Sequence, residues 1–166
     1  GMAVALGEVG RPHFPVDEDV WRASNAILVY AMETARDLGC PVVLHTEDPS
    51  ADTFREFAAM ADRAGLRREK VVKHHSTVLD AHDAYGGIVP SVLAKEDLIE
   101  RAVRAGGFFL LETDYIDDPR RPGAVLGPAT VPRKTRALLE RGVLTEDLVA
   151  QIHGEIPERT YGINLG

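Results

Sequence analysis

Four residues able to do chemistry occupy the same kind of place in this 166-residue chain. The apolar runs VALGE, PVVLH, VVKH and FFLLETD end at Glu8, His45, His74 and Asp114. Each is a potential metal ligand or proton carrier at the C-terminal edge of an expected strand. In parallel α/β folds that edge is where sites are assembled, from several strands at once. Two imidazoles and two carboxylates make a donor set suited to Zn²⁺ first, and also to Mn²⁺ or a similar divalent ion. Taken singly, a strand-end histidine is ordinarily a hydrogen-bonded structural group. Glu8 alone would serve as a turn cap, and Asp114 alone as a partner for Arg120 or Arg121. Four such coincidences at one edge favour a shared site.

The elements that must position these ends follow from periodicity. Ala3 to Val9 is a strand. Val20, Ala23, Ile27, Ala31, Ala35 and Leu38 recur every three to four residues, which predicts a helix over 18–38 that buries this face. Asp17 is its expected N-cap and Gly39 its stop. The strand 41–45 follows, then a helix from Ser50 to Gly65 with Phe54, Phe57, Ala58 and Ala61 inside. Strands at 71–74, 87–92 and 108–114 come next, with a weakly helical polar segment before the second and a helix near 95–105 before the third. Thr130, as N-cap with Pro132 close behind, opens another helix, and Thr145 opens the last. Alternating strands and helices imply a parallel sheet in a single α/β domain, with continuous apolar strands covered on both faces. The long loop 115–130 has the length of a functional or disordered segment.

Charge and composition exclude several classes. A net charge of −7 and the lack of a basic stripe with interleaved aromatics argue against a nucleic-acid-binding module. No G-x-G-x-x-G or P-loop pattern follows a strand. The single cysteine, Cys40, excludes an internal disulfide framework and fits a reducing, cytoplasmic setting. No apolar run approaches the ~18 residues of a membrane span. The first residues lack the basic start of a signal peptide, and Gly1 before Met2 reads as an expression scar.

GEVGR around Glu8, VVLHTED around His45, VVKHHS around His74 and LETDYIDDP around Asp114 together resemble the TatD-like metal-dependent hydrolases of the amidohydrolase-type TIM-barrel fold. GEVGRPHFP with ETDYIDDPRRPGAV is similar to an archaeal-type, TatD-related branch, and the resemblance runs through to IPERTYGI. It implies that Glu8 bridges two divalent ions and that His45 and His74 bind one of them. It implies also that Asp114 binds the other and orients or deprotonates the attacking water. Metal ions would lower the pKa of that water and stabilise charge on the substrate oxygen. The reaction implied is hydrolysis of a phosphoester, as in a TatD-type deoxyribonuclease, or of an amide or lactone-like bond, in a small-molecule or nucleic-acid substrate.

Other residues take lesser parts. Glu112, two residues before Asp114, shares its strand face and is expected to support the ligands. Of the adjacent His74 and His75 only one can enter the site, and the resemblance selects His74. His13, Arg11 and Arg120, with Arg121, are candidates to hold substrate, and Tyr115 and Asp117 to line the mouth. His82 and His153 are assigned to structure. Where many relatives carry an arginine after the second strand's histidine, this chain reads HTED, with Glu47 and Asp48.

The family's H-x-H pair is absent from the chain. A complete barrel has eight strands and about 250 residues. Five strands are expected here, the first corresponding to about the fourth of a barrel. The fold expected is therefore an incomplete (β/α)₈ barrel of about five parallel βα units, lacking the N-terminal part. The ion held by Glu8, His45 and His74 could persist without the missing strand. The alternative function is a non-catalytic partial barrel, a metal-binding or oligomeric scaffold whose open edges pair with another copy.

Overall fold

The computed structural model describes residues 3–118, 120 and 126–166. Five parallel strands lie side by side in chain order: β1 Leu6–Gly10, β2 Val42–His45, β3 Val71–Lys73, β4 Val89–Leu93 and β5 Leu110–Glu112. Helices α1 (Glu18–Leu38), α2 (Ala51–Ala64) and α3 (Glu96–Arg104) lie in three of the crossovers, and a 3₁₀ turn at His82–Tyr85 precedes β4. After β5 come α4 (Thr130–Glu140), α5 (Glu146–Ala150), a π-helical turn at Gln151–Glu155 and α6 (Ile156–Tyr161). Among the described residues, no helix is long and apolar enough to cross a membrane.

Local chemistry sets the helix ends. Gly39, at φ 69°, donates its N–H to the carbonyls of Ala35 and Arg36, so α1 stops where expected. Ser50 and Thr53 cap α2 reciprocally. Asp17 stands at the N-cap position of α1 but its side chain makes no capping bond. Thr130 is the first helical residue of α4 and not its cap. The last helix expected after Thr145 runs on through residue 161 but with a π turn inside it. Thr145 does cap α5, but Pro157 has no N–H to return to the His153 carbonyl, and the ladder loosens into the π turn there.

The buried face of α1 differs from the expected one. Leu28, Ala31, Met32 and Ala35 are buried, whereas Val20, Ile27 and Leu38 are 46%, 56% and 68% exposed. The helix is turned by less than the ~100° step of one residue, enough to bring the apolar side nearest α2 and the sheet inward.

Side chains along the sheet alternate between two faces. Val42, Leu44 and Val71 point into the core beneath α1 and α2. Val43 and Val72 belong to a second cluster with Val89, Leu110 and Ile156 of α6. The Lys70 ammonium ties α6 down, donating to the carbonyls of Arg159 at 2.9 Å and Thr160 at 2.7 Å. By the same alternation His45 falls on the face of Val43 and His74 on that of Val72. In β1, Leu6 pairs with Val42 but Val9 with Leu44, so three residue steps span two of β2. This bulge lets Leu6 and Val9 both pack on the helix side and turns Glu8 toward the histidines, the kind of re-aiming that bulges perform beside sites.

Candidate metal centre

Glu8, His45 and His74 each offer one ligand atom, and these atoms lie within 4.8 Å of one another. Glu8 Oε2 is 3.3 Å from His45 Nδ1, and Glu8 Oε1 is 3.7 Å from His74 Nδ1. The two imidazoles are stacked with centroids 5.4 Å apart. β1 and β2 can approach this closely because residue 10 is glycine: a Cβ there would meet the His45 carbonyl oxygen at 2.6 Å.

His74 is the most constrained member. Its Nδ1 is 2.9 Å from Glu112 Oε1, and its Nε2 is 3.6 Å from Asp114 Oδ1. Glu112 also accepts the His75 N–H at 2.9 Å and the Ser91 hydroxyl. A carboxylate holding one ring nitrogen fixes the tautomer and the ring orientation, as accompanies metal-binding histidines. The hydrogen bond to Glu112 raises the His74 pKa above its ordinary value; burial opposes this, and the charges of Glu112, Glu8 and Asp114 add to it. His75 and Asp114, each two residues past the ends of β3 and β5, both have φ 49°. Left-handed non-glycine residues are uncommon and gather at functional sites.

The cluster opens into a cavity of about 320 Å³. His13 borders it, its ring 5.5 Å from that of His45, as do Asp114 and the exposed His75. Glu47, Asp48 and Lys73 complete much of the wall. Lys73 was not anticipated as a site residue. It is 1% exposed, its ammonium bonds to the His74 carbonyl, and burial lowers its pKa against the opposing pull of Glu112, Asp48, Glu47 and Glu8. The available signal was a lysine inside an otherwise apolar strand, directly before a ligand candidate.

Two expected substrate contacts are placed otherwise. Arg11 is a correction: it is 4% exposed, and its guanidinium is taken up by Glu47, Glu56 and Asn25. Arg120 is exposed, chelated by Asp118 at 3.0 Å, and does not border the cavity. Arg121 lies outside the described residues, as do Gly1 and Met2. Tyr115 and Asp117 are exposed, bonded to each other at 3.3 Å, and do not line the cavity. His82 packs edge-on against Phe108 with centroids 4.8 Å apart, and His153 Nε2 pairs with Thr135 Oγ1 of α4 at 2.9 Å. Neither touches the site.

The donor set fits a divalent ion: two imidazoles and a carboxylate converge, with one imidazole already oriented by a second carboxylate. A sequence profile described as TatD related DNase matches residues 1–162. An uncharacterized protein of Methanocaldococcus jannaschii, MJ1127, is 51% identical over 165 residues, a match covering 98% of this chain and 58% of that protein. Among solved structures, the Escherichia coli phosphotriesterase homology protein, complexed with phosphate in its active site, superposes with a TM-score of 0.69 at 14% identity. That superposition covers 96% of this chain and 59% of the other. A mutant of a Deinococcus radiodurans phosphotriesterase-like lactonase gives 0.70 at 17% identity, covering 95% and 56%. The chain thus spans less than three-fifths of the length of each of these relatives.

Proposed function

We infer a hydrolytic function from one premise: the chain belongs to the TatD related DNase family. The observation that supports the reading is the convergence of Glu8, His45 and His74 on one strand edge, with Glu112 behind His74. In this reading the chain is about five βα units of a TIM barrel and contributes a centre for one divalent ion, zinc before manganese or magnesium. A divalent ion held by Glu8, His45 and His74 would supply water activation and charge stabilisation on the substrate oxygen. A second ion, in the role the resemblance gives to Asp114, needs ligands beyond those that the described residues bring together.

The remaining residues then have definite tasks. Glu112 holds His74 in the tautomer that binds. Asp114, facing the same ring, orients the attacking water and takes its proton. His13, across the cavity from Asp114's strand, donates a hydrogen bond to the substrate. The bond cleaved is a phosphoester, as in a deoxyribonuclease, or an amide or lactone-like bond, in a cytoplasmic substrate.

A second reading, a metal-binding or oligomeric scaffold, is favoured by the apolar residues left exposed on α1 beside the open edge of β1. The test is elemental analysis of purified protein and its Glu8→Ala variant, together with a hydrolase screen in Zn²⁺, Mn²⁺ and Mg²⁺. The hydrolase reading expects about one ion per chain, lost with Glu8, and metal-dependent turnover. Metal binding without turnover of any ester, amide or lactone assigns the chain to the scaffold. Absence of metal binding in the unaltered protein sinks both metal readings.

A further inference from the structure

We propose that Arg11 is a positioning residue of the metal centre, setting through Glu47 the separation of the strand ends that carry Glu8 and His45. The inference rests on the metal-centre reading above. Arg11 Nε donates to Glu47 Oε2 at 2.9 Å, and Nη2 bonds the other oxygen of Glu47. Nη2 also donates to Glu56 Oε2 at 2.9 Å, and Nη1 to Asn25 Oδ1 at 2.8 Å. The ring centroids of Trp21 and Phe57 lie 4.3 and 4.9 Å from the guanidinium carbon. A planar cation gripped bidentately and packed on two rings has little rotamer freedom left.

Position gives this grip its purpose. Arg11 is three residues past Glu8, and Glu47 is two past His45, so one bidentate ion pair joins the two strand ends just beyond the ligands. Before the ligands the backbones already touch, with the Leu6 N–H donating to the Pro41 carbonyl at 2.9 Å. The Glu8–His45 separation of 3.3 Å is therefore held on both sides. With Arg11 buried and Glu47 half-buried, the ion pair adds little net stability compared with well-packed apolar side chains of the same volume. What this pair adds is geometry: its fork fixes distance and angle, which two apolar side chains would not. Glu47 also lines the cavity, so the pair holds one wall in place while keeping the Glu47 charge compensated. The arms to Asn25 and Glu56 hold the arginine itself and do not cross between the strand ends.

Co²⁺ titration followed by visible ligand-field absorption separates these roles, with urea denaturation run in parallel on each protein. The proteins compared are the unaltered chain, Glu8→Ala, Glu47→Gln, Arg11→Lys and Glu56→Gln. Glu47→Gln and Arg11→Lys should weaken Co²⁺ binding by about 10- to 100-fold, the usual cost of losing an orienting partner, and should shift the absorption bands. Glu56→Gln, which loosens the same arginine away from the strand ends, should reduce stability while leaving the Co²⁺ affinity and spectrum as they were. Arg11→Lys keeps the charge and loses the fork, so it tests the claim if Glu47→Gln fails to fold. A Glu47→Gln protein that binds Co²⁺ with unaltered affinity and spectrum overturns the positioning role alone, provided Glu8→Ala has lost binding. If the unaltered chain binds no Co²⁺, or Glu8→Ala binds as well as it does, the metal centre and this inference fall together.

Discussion

Replacing Glu112 by glutamine tests how His74 is held, in the metal-free protein. Glu112 Oε1 receives His74 Nδ1 and the His75 N–H, each at 2.9 Å, while the other oxygen receives the Ser91 hydroxyl. A glutamine can turn its carbonyl to the two N–H groups and its amide to Ser91, whose hydroxyl can accept instead of donate. The variant therefore keeps the contacts and loses one charge. Hydrogen bonds to charged groups contribute about 1.5–3 kcal/mol and neutral ones about 0.5–1.5, so the loss expected in the His74 bond alone is about 1–1.5 kcal/mol. The His74 and Glu112 side chains are only 8% and 15% exposed, so solvent screening removes little of this.

The pH dependence has a definite sign. The His74 pKa is raised in the folded protein, chiefly by the bond to Glu112. Folding therefore favours the imidazolium, and the stabilisation is complete below the unfolded value of about 6.5 and is lost as pH rises through the folded value. Urea denaturation from about pH 6 to 9, followed by the fluorescence of the sole tryptophan, Trp21, should show the unaltered protein losing about 1–1.5 kcal/mol more than Glu112→Gln over that range. His153, whose pKa burial lowers, contributes with the opposite sign in both proteins and cancels in the difference. Glu8 and Asp114 leave the variant a shallow residual slope. Parallel curves for the two proteins, or a stability gap that widens as pH rises, would refute the reasoning.

Two further substitutions probe the frame around the site. Gly10→Ala forces a Cβ to within 2.6 Å of the His45 carbonyl oxygen; the strands must part, and urea denaturation should show a loss of about 1–3 kcal/mol. The same variant should bind Co²⁺ more weakly, whereas unchanged affinity would mean that the strand spacing is not what sets the ligands. Ile27→Glu, on the exposed side of α1, should leave the thermal midpoint nearly unchanged and reduce the mass seen by light scattering if copies associate through this face. A monomer both before and after the change would exclude the association.

Much of the fold was legible because its signals are local. Helix α1 runs over the residues that its flanking Asp17 and Gly39 predict, and α2 is bounded by a reciprocal cap at Ser50 and a left-handed glycine at Gly65. The convergence of Glu8, His45 and His74 was legible too, since parallel strands deliver their C-terminal ends to one edge. Arg11 was misread because a charged residue at a strand–loop junction looks solvent-exposed. Its burial depends on Trp21, Asn25, Glu47, Glu56 and Phe57, which only the tertiary structure gathers. The face of α1 was misjudged because its apolar residues cover more than one side, and periodicity alone does not rank the sides. The β1 bulge leaves no mark in the apolar pattern, although without it Glu8 would be aimed differently.

The exposed apolar side of α1 also bears on how the protein behaves as a colloid. A chain with a net charge of −7 and a pI near 5.3 keeps its copies apart at neutral pH by mutual repulsion. At about 0.15 M salt that repulsion reaches only ~8 Å, while contact through Val20, Ile27, Tyr30 and Leu38 is insensitive to screening. Concentrated solutions should therefore be clearest in dilute buffer well above the pI and should turn cloudy as salt is added. An assembly held by ion pairs would do the reverse.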